Sequence, residues 1–315
     1  MTTLAGSWLC KLRQTLGLFK STIRLSNLLG SDSYFPPSLL LFSLYLLTVI
    51  AISLAIPPPT LNTRDLSLIP LTMAVKSIAV IAGVGAGTGA SIARKFAQTY
   101  SVALLARTAA SYQTLVQEIS SSGGNAIGVN TDVTSDASVK NAFAEISKAF
   151  PGAPLAAAIY NVGGGFVRKP FLDLSQEDFT AGYESNAKGA FHFSQAALPL
   201  LLKSGDLEHP PTLIFTGATA SLKGSSLCSS FATGKFAMRA LSQSLAREFG
   251  PQGIHVCHAI IDGIIDVERT KGFKFDAPDA KLDPNSIAET YWFLHTQPRT
   301  TFTQELDMRP YVEKW

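Results

Sequence analysis

Residues 82–89 read Ala-Gly-Val-Gly-Ala-Gly-Thr-Gly, directly after a short apolar run and directly before a stretch of helical spacing that starts at Ala90. Glycines in that position let the chain turn tightly, bring backbone N–H groups against a pyrophosphate and pack the next helix on the strand. The helix N-terminus adds partial positive charge. The chemistry indicated is dinucleotide binding through Gly83, Gly85, Gly87, Thr88 and Gly89. Two spacings fit: Gly83, Gly87 and Gly89 form Gly-x-x-x-Gly-x-Gly, whereas Gly85, Gly87 and Ala90 form Gly-x-Gly-x-x-Ala. The competing reading is a flexible glycine-rich loop. Metal chemistry is not indicated. Cys10, Cys228 and Cys257 are odd in number and far apart, without a Cys-x-x-Cys pair, which argues for free thiols in a reducing compartment and against a structural zinc site.

A turn of this kind needs a strand before it and a helix behind it, and the chain supplies both repeatedly. Short apolar runs at 77–82, 101–106, 125–129, 156–161, 212–216 and 255–261 are six strand candidates. Between them, helical spacing runs over 90–98, 111–120, 138–150, 176–202 and 231–249. Strands alternating with helices imply a parallel sheet covered on both faces. The tail 271–315 is less regular, with a helix predicted over 284–296 and a last strand over 301–308.

Composition bounds the rest. The chain has 315 residues and 46% apolar content, enough for a substantial core. Its formal charge of +3 resides entirely in residues 1–72, where Lys11, Arg13, Lys20, Arg24 and Arg64 face only Asp32 and Asp65. The remainder is neutral and has no basic stripe with interleaved aromatics, so nucleic acid is excluded as the expected partner. Within 1–72, residues 39–56 run uncharged between Pro36-Pro37 and Pro57-Pro58-Pro59. They read as a candidate transmembrane helix of about 27 Å, short against a hydrocarbon layer of roughly 30 Å. A buried core helix is the alternative. The positive-inside rule leaves the N-terminus cytosolic and the remaining domain across the membrane. Trp8, Leu12, Leu16, Phe19 and Ile23 at helical spacing, with basic and no acidic residues over 4–28, also suit a mitochondrial targeting segment. A third reading starts translation at Met73. The expected location is accordingly a membrane of the endoplasmic reticulum or mitochondrion if 1–72 belongs to the native protein, and the cytoplasm if it does not.

From about Lys76 onward the chain resembles the short-chain dehydrogenase/reductase family, with several motifs in that family's order. The Gly83, Gly87, Gly89 spacing is the family's; Thr131-Asp132-Val133 is similar to its adenine-contacting segment, and Asn161-Val162-Gly163 to the turn after its fourth strand. Asn186 and Lys235 match its active-site Asn and Lys, the latter holding the nicotinamide ribose. The resemblance implies a single α/β domain over 73–315, a Rossmann-like doubly wound parallel sheet, preceded by the extension 1–72. It implies nucleotide contacts from the glycine turn, Asp132, Val133, Asn161, Lys235 and Ile265. At the end of the second strand NAD enzymes place an acidic residue; here Ala106 is uncharged and Arg107 follows, so NADP(H) is preferred over NAD(H).

The same resemblance exposes a gap. The family's Tyr lies four residues before its Lys and its Ser about thirteen before that, which are Phe231 and Ala218 here. Neither donates a proton. The Pro-Gly-x-Ile-x-Thr after the sixth strand is Asp262-Gly263-Ile264-Ile265-Asp266-Val267, so the carboxamide-binding Thr is also replaced. Losing general acid catalysis costs about 10² to 10⁴ in rate, or about 3 to 5 kcal/mol of barrier. The first expectation is an NADP(H)-dependent oxidoreductase with altered proton delivery, acting on an already activated acceptor such as an iminium or conjugated enone. Asp262, at the family's Pro position, is the candidate replacement acid or base, and a loop carboxylate capping a turn is its competing reading. The second expectation is a non-redox isomerase or cyclase using Asp262; the third is a cofactor-binding pseudoenzyme. Phe273 and Phe275 with Lys271 and Lys274 in the segment 266–283 suggest a partly apolar small-molecule substrate. The family also implies a homodimer or homotetramer through the helices over 176–202 and 231–249.

Overall fold

Seven short runs with the composition of strands come together side by side in a computed structural model that describes residues 76–164 and 166–314. They are β1 (Ile78–Ala82), β2 (Ser101–Ala106), β3 (Ala126–Asn130), β4 (Leu155–Tyr160), β5 (Thr212–Ala218), β6 (His255–Ile261) and β7 (Glu305–Met308). Every pairing is parallel, in the order β3-β2-β1-β4-β5-β6-β7. In the central strands β1, β4 and β6 every residue is buried, which is why they read as continuous apolar runs. The edge strands β3 and β7 bury fewer residues and carry more polar ones.

Helices cover both faces. Ile92 and Phe96 of α1 (Thr88–Ala97), Leu115 and Ile119 of α2 (Gln113–Ser121) and Ile287, Tyr291 and Leu294 of α7 (Pro284–His295) form one core with the sheet. The opposite core takes Val139, Phe143 and Ile146 of α3 (Asp136–Ala149), Phe193 and Leu201 of α5 (Gly189–Leu202) and Met238 of α6 (Ser229–Phe249). Local signals fix several starts. Ser175 and Asp178 form a capping box ahead of α4 (Gln176–Tyr183), and Asp283 accepts from the Asn285 and Ser286 backbone N–H groups ahead of Pro284, contributions of about 1 kcal/mol each.

Two expectations are corrected. The helix expected over 176–202 is α4 and α5 separated by a π-helical segment, Glu184–Lys188, because the Asn186 side chain donates across the turn to the Gly182 carbonyl and to Gly164. The last strand begins at Glu305, because Thr303 is engaged by Gln297 and by His255 instead of a neighbouring strand. The described residues belong to one compact unit, Thr72–Trp315. Among them no helix is long and apolar enough to cross a membrane, and the candidate span 39–56 and targeting segment 4–28 lie outside them.

Candidate active site

Parallel strands leave a crevice at their carboxyl ends where the order of the sheet reverses, here between β1 and β4. A cavity of about 1150 Å³ occupies it. Steric need in the glycine turn falls on the first of the two spacings. Gly83 has φ +85°, and a β-carbon on it would lie 2.5 Å from the Asn161 carbonyl oxygen. One on Gly89 would lie 2.6 Å from the Gly83 carbonyl oxygen, and one on Gly87 would lie 2.9 Å from Val267 Cγ1, whereas Gly85 faces open space. Gly87 caps α1 without a side-chain hydrogen bond, so the first amides of the helix open toward the cavity. Thr88 Oγ1, on the cavity wall, is buried without a partner. An open helix start, a cleared glycine surface and an orphaned hydroxyl suit the pyrophosphate of a dinucleotide.

The turn is braced from behind. Asn161 Nδ2 donates to the Gly83 carbonyl at 3.0 Å, and its Oδ1 accepts from Thr216 Oγ1 at 3.0 Å. Thr216 Oγ1 lies 2.7 Å from the hydroxyl of Tyr291 on α7, whose burial pushes its pKa far up and keeps it protonated. Asn161 thus lines the cavity and also positions the turn. Farther along the wall, Asp132 accepts from the backbone N–H and the hydroxyl of Thr134 at 3.0 and 2.8 Å, and Val133 lies beside it. Arg107, exposed at the end of β2, lines the wall with Thr108 and Ser111, so one guanidinium and two hydroxyls gather there.

The other end of the cavity is built on α6. Gly234 presses against α4: a β-carbon there would meet the Gly182 carbonyl oxygen at 2.1 Å, and that close approach seats the next residue, Lys235. Lys235 is only 3% exposed yet lines the cavity. Its Nζ donates to the Thr216 carbonyl at 2.8 Å and lies 5.7 Å from the centroid of the Phe231 ring. Burial pulls its pKa from the ordinary 10.5 to about 7. Phe231 meets Phe166 edge to face at 5.2 Å, and Ala218 and Ile265 complete this part of the wall. Lys235, Phe231, Ala218, Ile265, Arg107, Asp132, Val133, Asn161 and the glycine turn are therefore brought together.

Two expected residues are not on the wall. Asn186 is fully buried, its Nδ2 spent on the Gly164 and Gly182 carbonyls at 3.1 and 2.9 Å, and its Oδ1 has no partner. Asp262 pairs with Arg309 at 3.0 Å and accepts a short hydrogen bond from Thr219, and it is not among the residues that line the cavity. Phe273 and Phe275 are exposed and off the wall; the cover from that segment is Val267, Glu268 and Arg269. Thr216, Tyr291, Glu268 and Arg269 carry no motif and were not singled out by sequence. Among the described residues no cluster of metal-binding side chains forms, and Cys228 and Cys257 are free thiols.

Residues 77–276 match the family model described as short chain dehydrogenase. An uncharacterized oxidoreductase of Staphylococcus epidermidis is 25% identical over 236 residues, covering 75% of this chain and 97% of that protein. A solved short-chain dehydrogenase from Rhodopseudomonas palustris is 34% identical with a TM-score of 0.61, covering 75% of this chain and 98% of its own. A metagenomic short-chain oxidoreductase in complex with NADP shares the fold at 20% identity and a TM-score of 0.62, over 75% of this chain and 98% of that one.

Proposed function

From the premise that the chain belongs to the short-chain dehydrogenase family, we propose that it is an NADP(H)-dependent oxidoreductase with altered proton delivery, whose partly apolar substrate is reduced as an already activated acceptor. The observation that carries the reading is that one cavity wall holds both the open glycine turn with Arg107 and the Lys235 corner, where the expected hydroxyls are replaced by Ala218 and Phe231. A bound nicotinamide supplies hydride chemistry. The chain's own residues bind and orient: Gly83–Gly89 and Thr88 take the pyrophosphate, Arg107 with Thr108 and Ser111 the 2′-phosphate, Asp132 and Val133 the adenine, and Lys235 the ribose. Among the described residues that line the cavity, Lys235 is the amine, and burial brings its pKa to about 7.

With Ala218 and Phe231 at the positions of the family's hydroxyls, a simple ketone lacks those donors for its developing alkoxide, whereas an iminium or a conjugated enone needs little simultaneous protonation. The isomerase or cyclase alternative needs Asp262 as its base, and that carboxylate is paired with Arg309.

The test offers the full-length protein NADPH and NADH by calorimetry, then follows NADPH consumption with simple ketones and with cyclic iminium and enone acceptors. Tighter NADPH binding and turnover confined to the activated acceptors are expected; equal turnover of both substrate classes would overturn the altered-delivery reading. Exposed Phe179, Tyr183, Phe191 and Phe236 on α4, α5 and α6 support pairing of two copies through these helices, which light scattering reads directly. For residues 1–72 the readings to separate are a membrane span at 39–56, a targeting segment over 4–28 and a start at Met73, which carbonate extraction of membranes and the N-terminal peptide of the native protein tell apart.

A further inference from the structure

A nucleotide with a 2′-phosphate differs from one without it by a single group that carries about two negative charges. A site that separates the two must hold its donors where that group alone reaches. The donors proposed for it on this chain, Arg107, Thr108 and Ser111, line the cavity from a short segment on which all three are exposed. Thr108 and Ser111 are joined by one 3-10 turn, Ala109–Ser111. In it the Ser111 N–H donates to the Thr108 carbonyl at 3.1 Å and the Tyr112 N–H to the Ala109 carbonyl at 3.0 Å. The Thr108 and Ser111 hydroxyl oxygens lie 3.2 Å apart. A single turn does not hold its shape by itself, because nucleation fixes several dihedrals for each hydrogen bond gained. Something outside the turn must fix it.

The next residue does so. Tyr112 is 9% exposed, and its ring fills the space over β3 that Gly128 leaves: a β-carbon on Gly128 would lie 2.0 Å from Tyr112 Cδ2 and 2.1 Å from Cε2. A phenylalanine would fill that space equally, so packing does not account for the hydroxyl. The phenol donates to Asn130 Oδ1 at 2.7 Å, its one side-chain partner among the described residues. Asn130 is the last residue of β3, and it pairs in register with Ala106, the residue before Arg107. The Tyr112 side chain therefore runs from the end of the turn back to the strand ends where Arg107 leaves the sheet, and the segment 106–112 is closed at both ends. We propose that Tyr112, held between Gly128 and Asn130, is a positioning residue that sets the preference for a 2′-phosphorylated nucleotide by fixing the Thr108–Ser111 turn on the cavity wall. Tyr112 is itself off that wall, so it acts through the hydroxyls of the turn. The inference rests on the NADP(H) reading above and deepens it, since the preference then depends on a fixed turn as well as on the Arg107 charge.

The test measures NADPH and NADH affinity by calorimetry on the full-length protein and on variants that remove the same hydrogen bond from either side, Tyr112→Phe and Asn130→Ala. Each is expected to lower the preference for NADPH over NADH by about fivefold, the equivalent of one neutral hydrogen bond, with the loss falling on NADPH. The double variant is expected to lose no more than either single one, because the bond is already gone. Gly128→Ala, which pushes the ring off β3, is expected to lose about tenfold or more. An unchanged preference overturns the proposal, as do equal losses for NADPH and NADH, the mark of a merely structural role, and losses that add in the double variant. Asn130 is exposed, so its variant keeps the test open should those that alter the packed ring fail to fold. The native chain separates the two readings. Equal affinity of the native chain for both nucleotides removes the NADP(H) preference and this inference with it; a native preference that survives in every variant removes the role of Tyr112 alone.

Discussion

The two ends of the cavity differ in what holds them to their sequence. At the glycine turn the work is done by backbone: amides at the start of α1, the left-handed Gly83, and close passages between Gly83, Gly89 and β4 that no side chain fits. At the Lys235 corner the backbone is just as tightly set, by the Gly182 and Gly234 contact between α4 and α6, but the chemistry depends on which atoms hang from two positions. Ala218 and Phe231 occupy those positions without disturbing the fold, and the Phe231 ring finds a partner in Phe166. A backbone-built site therefore resists drift, because changing it costs folding, whereas a side-chain-built site can lose its reaction and keep its shape. The comparison predicts which changes are tolerated at each end.

The largest effect is expected from restoring the missing hydroxyls. Ala218→Ser with Phe231→Tyr places a donor at each position beside Lys235 and is expected to raise the reduction of simple ketones by about 10² to 10⁴, measured as NADPH consumption. No gain in a folded, nucleotide-binding double variant would break the claim that only the donors separate this corner from an ordinary ketone reductase. Next comes Gly83→Ala, which adds a clash with the Asn161 carbonyl to a left-handed backbone. The turn must shift to relieve that clash, and losing its fit to the pyrophosphate is expected to weaken NADPH binding more than 100-fold, about 3 kcal/mol, readable by calorimetry. Phe231→Leu, at the other end, is expected to leave that affinity within about threefold, since it removes ring area but no nucleotide ligand. Arg107→Ala follows: losing a charge-assisted contact worth about 1.5 to 3 kcal/mol is expected to weaken NADPH by about 10- to 100-fold and to leave NADH nearly unchanged. Equal losses for both nucleotides would place Arg107 on a group the two share, and no loss for either would assign it to the solvated surface.

Legibility followed the same division. The turn, the strands β1, β2 and β6, and Lys235 at its distance from Phe231 and Ala218 are local patterns, and the structure has them where periodicity and spacing put them. What escaped depends on residues far apart in the chain. The break at Glu184–Lys188 follows from Asn186 reaching Gly164, twenty-two residues away, and the Tyr291 hydroxyl reaches Thr216 across seventy-five. The pairing of Asp262 with Arg309 also escaped, because Arg309 comes from the C-terminal segment after β7 and no local signal joins the two. Phe273 and Phe275 suggested a substrate cover by composition, but nothing in a loop's composition says which of its residues turn inward, and Val267, Glu268 and Arg269 do so.

The smallest predicted effect probes what the reactive corner costs the fold. Lys235 has its pKa pulled from the ordinary 10.5 to about 7 by burial. Between those values the unfolded chain binds a proton that the folded chain does not, so stability rises with pH through that window and is lowest, for this group, at pH 7 and below. Lys235→Met removes the buried amine and leaves the Thr216 carbonyl without its donor, two terms of opposite sign. A net gain of about 1 kcal/mol, or roughly 2 to 4 °C in Tm, is expected at pH 7. The gain should shrink as pH approaches 10.5, because the native lysine is then neutral in both states. At the turn end the opposite holds, since Gly83→Ala loses stability at every pH. A Lys235→Met Tm gain that stayed constant from pH 7 to pH 10 would mean that the amine is charged in the folded protein, which removes burial as a cause of low proton affinity at this corner.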